Sequence, residues 1–246
     1  IILNKKDIIP YKTSGGLDTV AIRMPSNVIA RAIIKEAGIP IAAPSANISG
    51  RPSPTKAKHV YEEMNGRVDG IVLGGDSNFG LESTVLDLTE ETPMILRPGS
   101  ITKEVLEELL GEVKLDPSLS KKEDNQKAKA PGMKYKHYSP NADVYIISGK
   151  RENVATKIND MIKSNRDKGL KTGVMCISRN REFYDGEVID LGNSLEEVAS
   201  NLFDALIEMD KKGVDVIYSE EFPKTGVGQA IMNRLLKSAG YKVIKA

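Results

Sequence analysis

The 246 residues contain one cysteine, Cys176. A lone thiol cannot build a disulfide framework within the chain or supply a cysteine-based zinc site, and it fits a reducing cytoplasm. Charge of one sign is also missing. Against 35 basic residues stand 34 acidic ones, a net charge of +1, which creates no strong field for nucleic acid or a membrane surface. No apolar run approaches the roughly 18 to 20 residues that span a bilayer, and no signal-peptide pattern opens the chain. P-loop, GxSxG, HExxH and paired-cysteine motifs are all absent, which excludes the sites those motifs build. The chain starts on Ile1, already inside what reads as structure, and is therefore expected to be a fragment. With 40% hydrophobic and 28% charged residues, it otherwise has the composition of a globular protein of one large or two modest domains.

Strands and helices alternate from the start. "DTVAIRMP" alternates like a strand, and "SNVIARAIIKEAG" runs from a Ser26 or Asn27 cap to Gly38 past a helix end. "IPIAAP" and "DGIVLGG" read as short buried strands ended by turn residues. "STVLDLT" and "PMILRPG" suit a hairpin, and "TKEVLEELLG" a capped amphipathic helix. This mixed α/β domain is expected over residues 1–113. Residues 114–140 form a linker, charged and poor in large apolar side chains up to Ala130, and contain the cluster "PGMKYKHYSP". Residues 141–246 alternate strand and helix again and predict a small parallel, Rossmann-like sheet.

Several stretches could carry chemistry. "APSANISGRPSPT", residues 43–55, concentrates hydroxyls and prolines. Such a loop can hold phosphate or carboxylate oxygens without charge, with its prolines limiting the entropy lost on binding. The same residues fit a turn in which Ser45, Asn47 and Ser53 bond their own backbone and Ser53 or Thr55 caps a helix. Glu82, Ser83 and Thr84 pose the same choice. Arg97, before Pro98-Gly99, is placed for bidentate contact with phosphate or carboxylate, or for a surface ion pair. Arg23 projects from a strand toward either solvent or a cleft. In "PGMKYKHYSP", cations, phenols and an imidazole suit a nucleotide, or an arm laid on the domain surface. "GVGQAIMNRLLKSAG" reads as a tight turn into a helix, and His59 as a packed or surface histidine.

Taken in order, "DTVAIRMP", "PSANISGRPSPT", "LESTVLDL", "ILRPGSIT" and "PGMKYKHYSP" resemble the YrdC-type threonylcarbamoyl-AMP synthases. The last motif and the α/β region after it resemble the two-domain branch. The resemblance implies a YrdC-like mixed-sheet catalytic domain, N-terminally incomplete here, followed by the Rossmann-like domain. It implies that L-threonine and bicarbonate form a carbamate that attacks the α-phosphate of ATP, giving threonylcarbamoyl-AMP and pyrophosphate. Mg2+ is expected with ATP, and tRNA is reached indirectly, through a separate transferase complex, in the cytoplasm and without a membrane. By position, Arg23, Ser83 and the backbone at Ala43 match threonine contacts. Thr19, Ser45, Ser53 and Arg97 match ATP contacts, and Asn47 lies between them. A linker tyrosine is implied at the nucleotide, Tyr138 in preference to Tyr135, on a segment expected to move as a lid. The family also carries, before the position of Ile1, a Thr-rich segment and a Lys-x-Arg motif that these residues lack. The rival class is an RNA-binding YrdC-type module without catalysis, which the near-neutral charge disfavours.

Overall fold

The computed structural model describes residues 1–119 and 138–246. Local chemistry starts the first helix as expected. Asn27 Oδ1 accepts the N–H groups of Ile29 and Ala30, both at 3.0 Å, and Gly38 ends the helix at φ 64°. The first half comprises β1 (Ile2–Asn4), β2 (Thr19–Ala21), α1 (Val28–Ala37), α2 (Ala57–Met64), β3 (Val85–Asp87), β4 (Met94–Arg97), α3 (Lys103–Leu110) and β5 (Lys114–Leu115). Its sheet runs β2-β1-β3-β4-β5 and is mixed: β1–β2 and β3–β4 are antiparallel, β1–β3 and β4–β5 parallel. Because side chains alternate along β4, Ile95 packs with Leu86, Leu106 and Val113, while Leu96 packs with Ile2. The sheet thus extends two residues into the stretch read as linker.

Two expected strands do not form. Residues 39–44 and 70–75 carry no strand, and Ile39, Ile41, Val72 and Leu73 are exposed. A strand needs a neighbour to pair its backbone, and neither run joins the sheet order found among the described residues. The hydroxyl-rich loop therefore follows a segment without strand pairing, not a strand end. Neither Ser53 nor Thr55 caps α2. The helix begins after Lys56, and Asp76 Oδ1 accepts the Ala57 N–H at 3.3 Å.

In the second half strand and helix alternate as expected: β6 (Asp143–Ser148), β7 (Thr172–Cys176), β8 (Glu187–Asp190), β9 (Val216–Glu220) and β10 (Val243–Lys245), with α4 (Arg151–Asp167), α5 (Leu195–Lys211) and α6 (Val227–Ser238) as connections. The order is β10-β6-β9-β7-β8, parallel throughout. All five residues of β7 and of β9 are buried, as in a sheet covered on both faces. On one face α4 contributes Val154, Ile158 and Ile162. On the other, α5 and α6 contribute Leu202, Phe203, Leu206, Ile231 and Leu235, each stabilising by roughly 1.5–3 kcal/mol relative to exposure. Among the described residues no helix is long and apolar enough to cross a membrane.

The halves are joined through side chains and backbone alike. Leu81, with Phe79 beside it, packs into the α5–α6 core. A Cβ on Gly80 would lie 2.3 Å from the Ser200 carbonyl oxygen, so backbone meets backbone there. Along α2 and α5, Lys56 pairs with Asp204 at 2.7 Å, Lys58 with Glu208 at 3.0 Å, and Glu62 with Lys211 at 2.8 Å.

Candidate active site

The β3–β4 hairpin pairs Val85 with Arg97, so residues 82–84 and 97–99 leave the sheet side by side. Arg97 laces them together, its Nε and Nη2 donating to the Ser83 carbonyl at 3.1 and 2.9 Å. Across the same gap, a Cβ on Gly99 would lie 2.3 Å from the Thr84 nitrogen and 2.6 Å from the Ser83 carbonyl carbon. Only glycine allows that approach.

Glu82 is the hub of this junction. Its Oε1 accepts from Ser53 Oγ at 2.9 Å and its Oε2 from Arg234 Nε at 2.8 Å. The Tyr138 hydroxyl also hydrogen-bonds to it. Arg234, fully buried on α6, donates further from Nη2 to the Glu82 carbonyl at 3.0 Å and from Nη1 to the Pro98 carbonyl at 2.6 Å. Burial opposes ionisation of Glu82, but the Arg234 and Arg97 charges and the hydrogen bonds outweigh it and hold the carboxyl below its usual range. Burial, then the Arg234 charge, lowers Arg97. Burial and the two arginines push Lys237 down to about 8, while burial and Glu82 push Tyr138 up to about 12. Arg97, Arg234 and Lys237 thus share the carboxylate of Glu82, an excess of positive charge suited to an anionic ligand.

The structure gathers some of the expected residues and leaves others apart. Ser53, Ser83, Arg97 and Tyr138 meet at the junction. Arg23 is exposed, yet near enough for its charge to lower Arg97. Thr19 is paired with Asn4 at the start of β2, and Ala43 and Ser45 are exposed. Asn47 donates to the Ile48 and Arg51 carbonyls at 2.8 and 3.3 Å, which stiffens the loop, while its Oδ1 is buried without a hydrogen-bond partner. Among the described residues, Thr19, Ala43, Ser45 and Asn47 make no side-chain hydrogen bond to the junction cluster. Tyr138 is 6% exposed, stacked on Phe203 at 5.1 Å, with φ at 63°. Next to it, the Ser139 N–H donates to the Gly50 carbonyl at 3.0 Å and its hydroxyl to the Ser238 carbonyl at 3.3 Å. The end of the expected lid is therefore seated between the hydroxyl-rich loop and α6. Tyr135 and the rest of that motif before Tyr138 lie outside the described residues.

Two members of the cluster, Arg234 and Lys237, were not anticipated from sequence. Their signal lay in "GVGQAIMNRLLKSAG", where a cation pair spaced three apart falls on one face of a helix buried nearly all round. His59, by contrast, is only 2% exposed, and burial lowers its pKa. It groups with Asp204 and Glu208 within 4.8 Å, but Lys56 and Lys58 already neutralise those carboxylates, so the group is an ion-pair seam.

Residues 101–240 match the family model described as "Threonylcarbamoyl-AMP synthase, C-terminal domain", and residues 1–99 match one described as "Telomere recombination". The chain is 47% identical over 246 residues to the threonylcarbamoyl-AMP synthase of Pyrococcus abyssi, covering 100% of this chain and 71% of that protein. It is 46% identical over 244 residues to the Bacillus subtilis protein of the same name, covering 98% and 69%. It superposes on the crystal structure of P. abyssi Sua5 complexed with L-threonine with a TM-score of 0.93, over 100% of this chain and 71% of that one.

Proposed function

The chain belongs to the two-domain threonylcarbamoyl-AMP synthases, and we propose that it takes part in making threonylcarbamoyl-AMP from L-threonine, bicarbonate and ATP in the cytoplasm, for tRNA modification by a separate transferase complex. The observation that carries this reading is the superposition of the whole chain on a relative solved with L-threonine.

The chemistry needs no protein nucleophile. The threonine amine and bicarbonate condense to a carbamate and water. A carbamate oxygen then bonds to the α-phosphorus of ATP as the bond to the β-phosphate bridging oxygen breaks, and pyrophosphate leaves with that electron pair. Two anions must be held in line and their charge offset, a task of positioning and electrostatics. In this reading Arg97 faces phosphate, and Ser83 and Arg23 face threonine together with the backbone at Ala43. Thr19, Ser45, Asn47 and Ser53 line the nucleotide side. The partnerless Asn47 Oδ1 is an acceptor suited to a ligand hydroxyl or amino group. Tyr138 and Tyr135 stand as nucleotide contacts from the linker motif. Magnesium enters as part of the MgATP substrate. Glu82, the carboxylate of this cluster, is engaged by Ser53 and Arg234, so the described residues around Arg97 do not form a metal-ligand set.

The test is threonine- and bicarbonate-dependent release of pyrophosphate from MgATP by the protein, with the adenylate identified by mass spectrometry. Pyrophosphate release that ignores threonine, or no adenylate, overturns the reading.

A further inference from the structure

Nothing in the reaction as described uses the second domain, yet the most buried cation of the junction belongs to it. Arg234 is 0% exposed and reaches out of α6 to three oxygens of the first domain: one carboxylate oxygen of Glu82, the Glu82 carbonyl and the Pro98 carbonyl. Those two residues directly precede Ser83 and directly follow Arg97. One planar guanidinium therefore fixes the spacing of the two chain segments that present both groups. The lacing between the segments themselves is the Arg97 fork on the Ser83 carbonyl and the glycine contact at Gly99. Arg234 closes the third side.

We propose that Arg234 is a positioning residue for adenylate formation, by which the second domain sets the geometry of Ser83 and Arg97. The inference rests on the synthase reading above. Arg234 is not placed against substrate. It acts through Glu82 and Pro98. The remaining contacts fit this role: Ser53 and Tyr138 meet the same carboxylate, so the hydroxyl-rich loop, the linker end and α6 are tied to one point. A lysine at this position keeps the charge but loses the fork, since an ammonium cannot match three oxygens held in one plane of donors.

The experiment compares wild-type protein with Arg234→Lys in steady-state pyrophosphate release, with KM for ATP and for threonine measured separately and folding checked by thermal melting. A residue that only supports the fold changes the fraction of active molecules and lowers apparent kcat with both KM values unchanged. The positioning role predicts that KM rises for ATP and for threonine by about tenfold each in the folded variant, as for the loss of one charge-assisted hydrogen bond per segment. A folded Arg234→Lys with both KM values at wild type overturns it. If that variant does not fold, Glu82→Ala takes its place, since it removes the carboxylate through which Arg234 Nε holds the segment before Ser83. The same rise in KM supports the proposal and unchanged values overturn it. Wild-type protein that makes no adenylate removes the synthase reading and this proposal with it, whereas an active wild type beside a normal variant removes the proposal alone.

Discussion

Replacing Lys237 by methionine should stabilise the protein at neutral pH. The side chain lies on α6 and is 7% exposed. Burial, followed by the Arg234 and Arg97 charges, pushes its pKa from 10.5 to about 8, with Glu82 opposing. The folded pKa is depressed, so between about 8 and 10.5 the unfolded chain binds a proton that the folded chain has released. Stability therefore rises with pH across that window, and below it the full cost of burying the charge is present. At 1.36 kcal/mol per unit, a difference of 2.5 units amounts to about 3 kcal/mol. Methionine matches the length of the lysine stem and carries no charge to desolvate. Urea denaturation at pH 7 should find Lys237→Met more stable by up to about 3 kcal/mol, with the gap closing toward pH 10.5 as the wild type loses its proton. Groups that do not interact with Lys237 cancel in the difference. A variant less stable at pH 7, or a gap that does not change with pH, would refute the reasoning. If the cation also serves an anionic ligand, its loss costs binding of that ligand. MgATP should accordingly raise the melting temperature of the wild type more than that of the variant.

Three further outcomes follow, two at the junction and one at the α2–α5 seam. Arg97→Ala should weaken ATP binding about ten- to a hundredfold by calorimetry, from a charge-assisted bond of roughly 1.5–3 kcal/mol, while Ser83→Ala should raise the threonine requirement and leave ATP affinity near wild type. The reverse pattern would exchange the two halves of the pocket. At the α2–α5 seam, where Lys56 is 36% exposed beside Asp204, a double-mutant cycle on the pair should give a coupling of no more than about 1 kcal/mol. A coupling several times larger would show that the seam holds the domains together by charge.

The second domain was readable from sequence almost element by element. Its central strands β7 and β9 are buried on both faces and stand out as apolar runs, β8 and β10 are shorter and more exposed, and the helices between carry capping or turn residues such as Ser194, whose Oγ accepts the Glu197 N–H at 3.2 Å. In the first domain, the hairpin around Val85 and Ile95 and the helix after Asn27 were equally legible, because their signals are local. The runs at 39–44 and 70–75 misled, since an apolar run states that a segment can be buried but not which neighbour pairs its backbone. At the candidate site, Ser53, Ser83 and Arg97 stood out by chemistry at turns. Arg234 and Lys237 did not, because a helix shows its faces only as a period, and the partner of the polar face lies 152 residues away in sequence. Glu82 was visible as a carboxylate among hydroxyls, but its joint engagement by Ser53, Arg234 and Tyr138 needed the fold.

The contact at Gly80 has a mechanical consequence. Side chains that meet across a boundary can yield by changing rotamer. Two main chains in contact cannot, and a single added carbon at residue 80 would sit 2.3 Å from the Ser200 oxygen and 2.6 Å from that of Ala199. With Phe79 and Leu81 anchored on either side, this point behaves as a fulcrum. Any motion of one half against the other is therefore expected as a rotation about this point and not as a slide past it. Small rotations would then be magnified along the lever of α2, where Lys58 faces Glu208, and would hardly displace residues beside the pivot. Paired spectroscopic labels would register this as a broad spread of distances between residues 58 and 208 and a narrow one between 78 and 200. Equal spreads at the two pairs would mean that the boundary shears instead.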